Sequence, residues 1–323
     1  MTELSEIEKL LETAAKGRAS APRLKDGVLS VVLDVTGLSP MQREVLEAGI
    51  RGQMKSLQDI RDVRIAMTAE KKAVRLIAVG SGKGGVGKST VAANLAIALK
   101  RLGQKVGLVD ADIYGPSQPR LLSSEGVKPT AEDNKLVPVP NAYGVPMLSM
   151  GQLVKPGQAI AWRGPMAGNA LGQLIDAQWG DIDLLIVDLP PGTGDVQLSM
   201  MQKHKPAGVI IVSTPQDLAL IDATRAVHLF EQADIPMIGL IENMAGYACP
   251  HCGEVSDPFG TGGAEAAAKS MGMAFLGRIP LDIAIRQASD AGQPPAASDG
   301  AEGVPFMAIA EKLARWVENS RPR

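Results

Sequence analysis

Aromatic residues, cysteines and long apolar runs are all scarce in this chain of 323 residues. Aromatics make up only 3% of it, so the core must be built mainly from Leu, Ile, Val, Ala and the 14 methionines. Two cysteines are too few for a disulfide scaffold and indicate a reducing compartment. No apolar run is long enough for a transmembrane helix, and the opening MTELSEIEKLL does not read as a secretory signal. We therefore predict a cytoplasmic protein without a membrane partner.

Positive charge is not in excess either. The formal net charge is −2, which argues against extensive nucleic-acid contact, so we predict no nucleic-acid partner. The hydrophobic content of 45% and the charged content of 21% are ordinary for a globular protein, and the length favours two domains.

The first 70 residues predict a small α+β domain. Apolar spacing indicates a helix over residues 4–16, and a second helix is predicted from Met41 to Leu57 after Pro40. Strands are predicted over 28–35 and 63–67, whereas 17–26 is interpreted as a connector. The polar run 68–72 is the predicted linker to a second domain, residues 73–323.

Strands and helices alternate through the second domain. Strands are predicted over 74–80, 105–110, 146–150, 183–188, 208–213, 236–242 and 274–277, and helices over 88–102, 166–178, 196–204, 217–233, 262–271 and 304–318. Several strands are apolar throughout, as strands buried on both faces of a sheet must be. The predicted fold class is therefore α/β, with a doubly wound, mainly parallel sheet. Residues 121–145 are interpreted as a surface excursion, and 290–303 as a loop.

A glycine-rich loop joins the first of these strands to the first helix. Residues 80–90 read GSGKGGVGKST and contain the phosphate-loop pattern G-x-x-x-x-G-K-[ST], ending in Lys88 and Ser89. Backbone N–H groups of such a loop bind phosphate, Lys88 would reach the β- and γ-phosphates, and Ser89 would ligate Mg²⁺. Gly80, Gly82 and Gly85 also spell the weaker dinucleotide pattern G-x-G-x-x-G, with Asp110 near the position of a ribose carboxylate. An ammonium and a hydroxyl at the helix start favour the phosphate loop.

Acidic residues follow two other strands at the edge where ligands of such sheets bind. Asp110 and Asp112 end one strand, and Asp188 ends another and begins the run DLPPGTGD, which closes at Asp195. An aspartate after an apolar strand, beside a phosphate loop, is a typical second Mg²⁺ anchor, and we assign this role to Asp188. Capping or turn roles remain open for Asp112 and Asp195.

Both cysteines lie in one short motif, Cys249-Pro-His-Cys252. The C-x-x-C spacing allows both sulfurs to bind one metal centre, but zinc, an iron–sulfur cluster, a redox disulfide and chance all remain open. A closed zinc site or a cubane cluster needs about four ligands, and one chain offers two thiolates with His251 as a weak third. A second copy related by a two-fold axis would complete such a site.

Together these motifs resemble a known family. SGKGGVGKST, with its additional Lys83, resembles the deviant phosphate loop of the MinD, ParA and nitrogenase-iron-protein class of P-loop ATPases. The segments DADIYGPS (110–117), DLPPGTGD (188–195) and CPHC (249–252) resemble, more particularly, the Mrp/ApbC family of iron–sulfur cluster carrier ATPases. The match covers about residues 73–320. The N-terminal unit resembles, more loosely, the MIP18-type domain, but it has no cysteine and is given no cluster role.

The resemblance implies an ATP-hydrolysing homodimer that carries a 4Fe–4S cluster and passes it to apoproteins, with cluster scaffold proteins as further partners. Lys83 would contact nucleotide across the dimer, Asp112 would position water or act as a base, and Asp188 would be the Walker B carboxylate. Asn243 and the segment around Pro280 would hold adenine, and Cys249 and Cys252 would bind the shared cluster. The implied ATP and Mg²⁺ contacts in the phosphate loop are Gly82, Lys83, Gly84, Gly85, Val86, Gly87, Lys88, Ser89 and Thr90.

Two alternatives remain at this point. A positioning or partitioning ATPase of the MinD or ParA kind would need a membrane-binding amphipathic tail, but the last helix has few basic residues. A zinc-stabilised dimeric ATPase without a cluster would use the same cysteines.

Overall fold

The computed structural model divides the chain into two compact units, Met1–Ala73 and Val74–Arg323, and each is described here by itself. The predicted linker falls mostly outside the residues that the structure describes. These residues are 4–36, 38, 40–57, 59–68, 74–153 and 164–320.

The first unit packs two helices on a three-stranded sheet. Its core is formed by apolar residues such as Ile7, Leu33 and Met54, all fully buried. In the sheet order β1-β2-β3 the first pair is antiparallel and the second parallel. The elements are α1 (Leu4–Ala14), β1 (Ala19–Lys25), β2 (Val28–Asp34), α2 (Pro40–Lys55) and β3 (Asp62–Thr68).

The connector predicted over residues 17–26 is wrong, because most of it is strand β1. This edge strand buries none of its side chains fully, so it lacks the alternation that marks a half-buried strand. The hairpin to β2 turns at Asp26 and Gly27, both with positive φ (50° and 75°). Asp-Gly is a common sequence for such a two-residue turn and is the signal that could have revealed the strand.

The second unit is a doubly wound sheet of seven parallel strands, which confirms the predicted fold class. Besides the seven-stranded sheet, this unit contains two short two-stranded hairpins. The strands of the unit are β4 (Arg75–Gly80), β5 (Val106–Asp110), β6 (Thr130–Glu132), β7 (Lys135–Val137), β8 (Met147–Ser149), β9 (Leu184–Asp188), β10 (Gly208–Ser213), β11 (Met237–Asn243), β12 (Tyr247–Ala248), β13 (Val255–Ser256) and β14 (Phe275–Ile279). Its helices are α3 (Lys88–Arg101), α4 (Gln118–Leu121), α5 (Gly164–Ile175), α6 (Asp195–His204), α7 (Asp217–Gln232), α8 (Gly263–Ser270), α9 (Ile283–Asp290) and α10 (Val304–Asn319), with 3-10 turns over 150–153, 295–297 and 301–303.

Both faces of this sheet are covered. The strand order is β14-β11-β10-β4-β9-β5-β8. One face packs against α3 and α10, and the other against α5, α6, α7 and α8. All residues of β5, β9 and β10 are buried, which is why these strands read as continuous apolar runs. The chain leaves β4 toward β5 on one side, while β10 lies on the other, so the loop after β4 begins where the winding direction changes.

Some details differ from the sequence predictions. The excursion over 121–145 contains the hairpin β6–β7, which turns at Asp133 and Asn134, both with positive φ. Helices α4 and α9 were not predicted, and the four residues of α4 are too few to establish a helical period. The predicted loop 290–303 contains the short turns at 295–297 and 301–303.

The last helix packs into the core. Phe306, Ile309 and Leu313 are fully or almost fully buried on one face of α10, as its apolar spacing predicts. No helix in the described part of the chain is both long and apolar enough to cross a membrane.

Candidate functional site

The loop after β4 encloses a cavity of about 210 Å³ at the carboxyl edge of the sheet. Two of its glycines, Gly85 and Gly87, have φ near +80°, which other residues adopt only at a cost. A Cβ atom at Gly82 would lie 2.1 Å from the carbonyl carbon of Asp222 in α7, so only glycine fits there. The cavity is lined by Ser81, Lys83, Gly84, Gly85, Val86, Gly87, Lys88, Ser89, Thr90, Asp112 and Pro191.

Lys88 forms an ion pair at the back of this cavity. Its Nζ lies 2.5 Å from Oδ1 of Asp188, and the two side chains are 6% and 0% exposed. The second carboxylate oxygen, Oδ2, accepts a hydrogen bond of 2.8 Å from Nε2 of Gln118. Both oxygens of Asp188 are therefore engaged, and the phosphate-loop lysine is held by its own chain.

A second carboxylate, Asp110, lies beside this pair. Burial, and then the negative charge of Asp188, raise the pKa of Asp110 from 3.8 to about 7. Its side chain accepts hydrogen bonds from the hydroxyl of Ser149 (2.9 Å) and from the backbone N–H groups of Asp112 (3.2 Å) and Gln118 (3.1 Å). Asp110 is fully buried and does not line the cavity, so it supports the loop between β5 and α4 from behind.

Asp112 does reach the cavity wall. Its carboxylate oxygen Oδ1 accepts backbone hydrogen bonds from Tyr114 (3.0 Å) and Gly115 (3.2 Å), and the residue is 8% exposed. Asp112 therefore both stabilises a turn and lines the cavity, which are the two roles that the sequence left open.

Lys83 lies at the rim of the same cavity and is half-buried. Its ammonium donates a 3.2 Å hydrogen bond to Oε1 of Gln216, which precedes α7. This partner is neutral, whereas the partner of Lys88 is a carboxylate, so Lys83 is bound less strongly.

The segment after β9 is tied to the phosphate loop from the other side. The backbone N–H of Gly192 donates to the carbonyl of Ser81 at 2.9 Å. Gln197, in α6, donates to the carbonyls of Pro190 (2.6 Å) and Gly192 (3.0 Å). Asp195 begins α6, but its side chain is not among those described.

Asn243, at the end of β11, contacts the phosphate loop. Its Nδ2 donates a 2.8 Å hydrogen bond to the carbonyl of Val86, and a Cβ at Gly87 would lie only 2.2 Å from the same nitrogen. Pro280 follows β14 and is half-buried. Neither Asn243 nor Pro280 lines the cavity around the phosphate loop, so the structure shows Asn243 as a support of that loop.

The two cysteines lie at the surface on the hairpin β12–β13, which begins shortly after Asn243. Cys249 is half-buried and Cys252 is exposed. Backbone N–H groups of His251 and Cys252, followed by the thiol of Cys252, lower the pKa of the Cys249 thiol. Within the described ranges, no three His, Cys, Asp or Glu side chains are grouped as a metal site, so one chain brings two thiols here.

The polar residues that the sequence analysis missed include three glutamines, Gln118, Gln197 and Gln216. Each supports another site residue by a side-chain amide hydrogen bond. No motif spacing identifies such residues, because glutamine in a loop or at a helix start is usually solvated.

Comparison with known proteins gives consistent matches. Residues 72–314 match the ParA family model, described as NUBPL iron-transfer P-loop NTPase. An iron-sulfur cluster carrier protein of Deinococcus radiodurans is 43% identical over 289 residues, which are 86% of this chain and 82% of that protein. The iron-sulfur protein required for NADH dehydrogenase, mitochondrial, of Arabidopsis thaliana is 49% identical over 221 residues, 68% of this chain and 70% of that protein.

Solved structures share the fold. A nucleotide-binding protein of Archaeoglobus fulgidus, solved in complex with ADP, is 39% identical with a TM-score of 0.61, covering 72% of this chain and 91% of that one. The cell division ATPase MinD of Pyrococcus furiosus is 24% identical with a TM-score of 0.53, covering 75% of this chain and 99% of that one. At that identity the second match shows the fold alone.

Proposed function

Because the chain belongs to the ParA family of NUBPL iron-transfer P-loop NTPases, we propose that it is an ATP-hydrolysing carrier that binds an iron–sulfur cluster and delivers it to apoproteins. The observation that carries this proposal is the position of Asn243. It holds the carbonyl of Val86 in the phosphate loop and lies six residues before Cys249. One short stretch of chain thus joins the nucleotide loop to the thiols.

Lys88 binds the β- and γ-phosphates of ATP in this proposal. To do so it leaves Asp188, its present partner at 2.5 Å. The backbone N–H groups of the phosphate loop and the N-terminus of α3 supply the remaining attraction for the phosphates. Nucleotide binding is therefore an exchange in which a phosphate replaces a buried carboxylate beside Lys88.

The residues around Asp188 fit Mg²⁺. Serine hydroxyl and aspartate carboxylate are the oxygen ligands that this ion prefers, and the buried Oε1 of Gln118 has no hydrogen-bond partner there. Ser89 and Asp188 would hold the ion, Asp188 either directly or through water. Bound Mg²⁺ would neutralise charge on the β- and γ-phosphates during hydrolysis.

Four further residues complete the proposed ATPase. Asp112, on the cavity wall, orients the attacking water or accepts its proton. Lys83 exchanges its neutral partner Gln216 for the nucleotide of a second copy, as its rim position permits. Asn243 and Pro280 contribute to the adenine side, with Asn243 also supporting the loop.

The cargo is a 4Fe–4S cluster held by Cys249 and Cys252 of two subunits. A cubane cluster needs about four protein ligands, and each chain brings two thiols on a surface hairpin, so a homodimer supplies the set. The lowered pKa of Cys249 favours the thiolate that binds iron. Scaffold proteins would donate the cluster and apo iron–sulfur proteins would receive it.

Anaerobic reconstitution tests this function. We expect the wild-type chain to acquire iron and sulfide with visible absorption, to become dimeric by light scattering and to activate an apo iron–sulfur protein. Cys252→Ala should lose the cluster but keep ATP binding, and His251→Ala is the matched control from the same hairpin, which should retain iron.

Zinc in place of iron, or a fully loaded monomer, would contradict this proposal. The positioning-ATPase alternative receives no support from α10, whose apolar face is buried in the core. The MIP18-like identity of the N-terminal unit remains a prediction. The cytoplasmic location also remains a prediction from cysteine usage, and the name of the Arabidopsis relative assigns that protein to mitochondria.

A further inference from the structure

The side-chain amide of Gln118, in the proposed nucleotide site, has hydrogen-bond partners for its nitrogen but none for its oxygen. The residue is fully buried. Its Nε2 donates to Oδ2 of Asp188 at 2.8 Å and to the backbone carbonyl of Ser89 at 2.9 Å, whereas its Oε1 is buried without a hydrogen-bond partner. The amide cannot be turned over, because Oε1 would then face two acceptors.

Such an arrangement requires an explanation, because a buried acceptor without a donor is unfavourable. Lys88, the cation that pairs with Asp188, is engaged with the other oxygen of that carboxylate. When Lys88 moves to the phosphates, it moves away from this carboxylate. A donor that arrives together with the nucleotide would satisfy Oε1, and Mg²⁺ characteristically keeps several of its waters when it binds.

We propose that Gln118 is a positioning residue for Mg²⁺. Its NH₂ group spans Ser89 and Asp188, the two residues that would hold the ion, and its Oε1 accepts a hydrogen bond from a water of the hydrated ion. The inference rests on the proposed nucleotide function but not on cluster binding. The buried Oε1 without a donor is unfavourable, and a water bound to Mg²⁺ would supply that donor.

Gln118 also connects the proposed Mg²⁺ site to the loop between β5 and α4. Its backbone N–H donates to Oδ2 of Asp110 at 3.1 Å, and another N–H bond to Asp110 comes from Asp112. The backbones of Gln118 and Asp112 are thus held by the same buried carboxylate.

The test separates Mg²⁺ affinity from nucleotide affinity. Binding of a fluorescent ATP analogue to the cluster-free full chain is measured in EDTA and then as a function of Mg²⁺. For Gln118→Met we expect the half-saturating Mg²⁺ concentration to rise about tenfold, the usual effect of one lost hydrogen bond, with affinity in EDTA unchanged within about twofold.

Gln178→Met is the matched control. Gln178 donates its amide to the carbonyl of Glu132 on the β6–β7 hairpin and does not line the cavity, so its Mg²⁺ dependence should equal that of wild type. An unchanged Mg²⁺ dependence in Gln118→Met, with normal binding in EDTA, would overturn the proposal.

Gln118→Glu decides the matter if the Met variant also loses binding in EDTA. The Glu variant keeps acceptor oxygens but not the NH₂ donor, and a third carboxylate weakens Mg²⁺-free binding of ATP. The half-saturating Mg²⁺ concentration should stay at or below the wild-type value, and a tenfold rise would overturn the role of Oε1 as an acceptor. Failure of wild type to bind the nucleotide at all would overturn the proposed ATPase function and this inference together.

Discussion

Removal of the Lys88 ammonium should destabilise the nucleotide-free chain as well as abolish ATP binding. Lys88 and Asp188 are 6% and 0% exposed, with Nζ and Oδ1 2.5 Å apart. At an effective dielectric constant of about 20, Coulomb's law gives an attraction of about 7 kcal/mol, much of which offsets the cost of burying both charges. Lys88→Ala leaves the buried Asp188 carboxylate next to Asp110 with no cation, so we expect a loss of about 3–5 kcal/mol.

Tryptophan fluorescence during urea unfolding measures this loss, because all three tryptophans lie beyond residue 73 and report the second unit. Samples contain EDTA and no nucleotide. In the double variant Lys88→Ala with Asp188→Asn the two losses should be far from additive, because each single change leaves the other charge buried alone. Lys105→Ala breaks an exposed pair with Asp181 and should leave the midpoint unchanged. A loss below about 1 kcal/mol in Lys88→Ala, or additive losses, would refute the reasoning.

Three other changes have defined outcomes. Gly82→Ala places a Cβ 2.1 Å from the Asp222 backbone. We therefore expect the free energy of unfolding to fall by about 1–3 kcal/mol and the binding of a fluorescent nucleotide to weaken at least about tenfold. The control is Gly84→Ala, whose Cβ would have only one contact, at 3.8 Å, and which should unfold like wild type. Asp110 keeps its proton up to about pH 7 when folded and loses it near 3.8 when unfolded, so stability falls by about 4 kcal/mol as pH rises through that interval. In Asp110→Asn, the urea midpoint should no longer decline as the pH rises through this range. The same decline in the variant as in wild type would exclude the effect. Iodoacetamide should modify Cys249 of the cluster-free protein at lower pH than an ordinary thiol, as read by mass spectrometry, and an ordinary pH midpoint would contradict the lowered pKa.

The sequence was most informative for strands that are buried along their whole length. Strands such as β9 and β10 are covered on both faces, so their apolar runs identified both the strands and the parallel sheet. Strand β1 was missed because an edge strand with mostly exposed side chains leaves no periodic pattern. The short helix α4 was missed for a similar reason, because a single turn shows no helical period.

The site was predictable to the extent that it is encoded locally. The phosphate loop, Asp112 and Asp188 come from contiguous motifs, and the structure brings Lys88, Asp112 and the loop glycines around one cavity. The contacts between distant segments were not predictable. Gln118 lies 70 residues from Asp188, and their hydrogen bond depends on how α4 turns back toward β9. The hydrogen bond from Lys83 to Gln216 and the contact of Asn243 with the phosphate loop likewise depend on packing between distant segments.

In the proposed function, charge balance favours the joint binding of ATP and Mg²⁺. Lys88 neutralises Asp188 in the structure, and both are buried. Phosphate binding alone takes Lys88 away and leaves a buried carboxylate uncompensated beside Asp110, which is unfavourable. A cation at Asp188 removes that penalty, but it is repelled as long as Lys88 stays there. Each ligand therefore binds better when the other has changed the position or the charge partner of Lys88, so their binding free energies must be coupled. In the proposed function, one lysine therefore neutralises Asp188 and also makes the binding of each ligand dependent on the other.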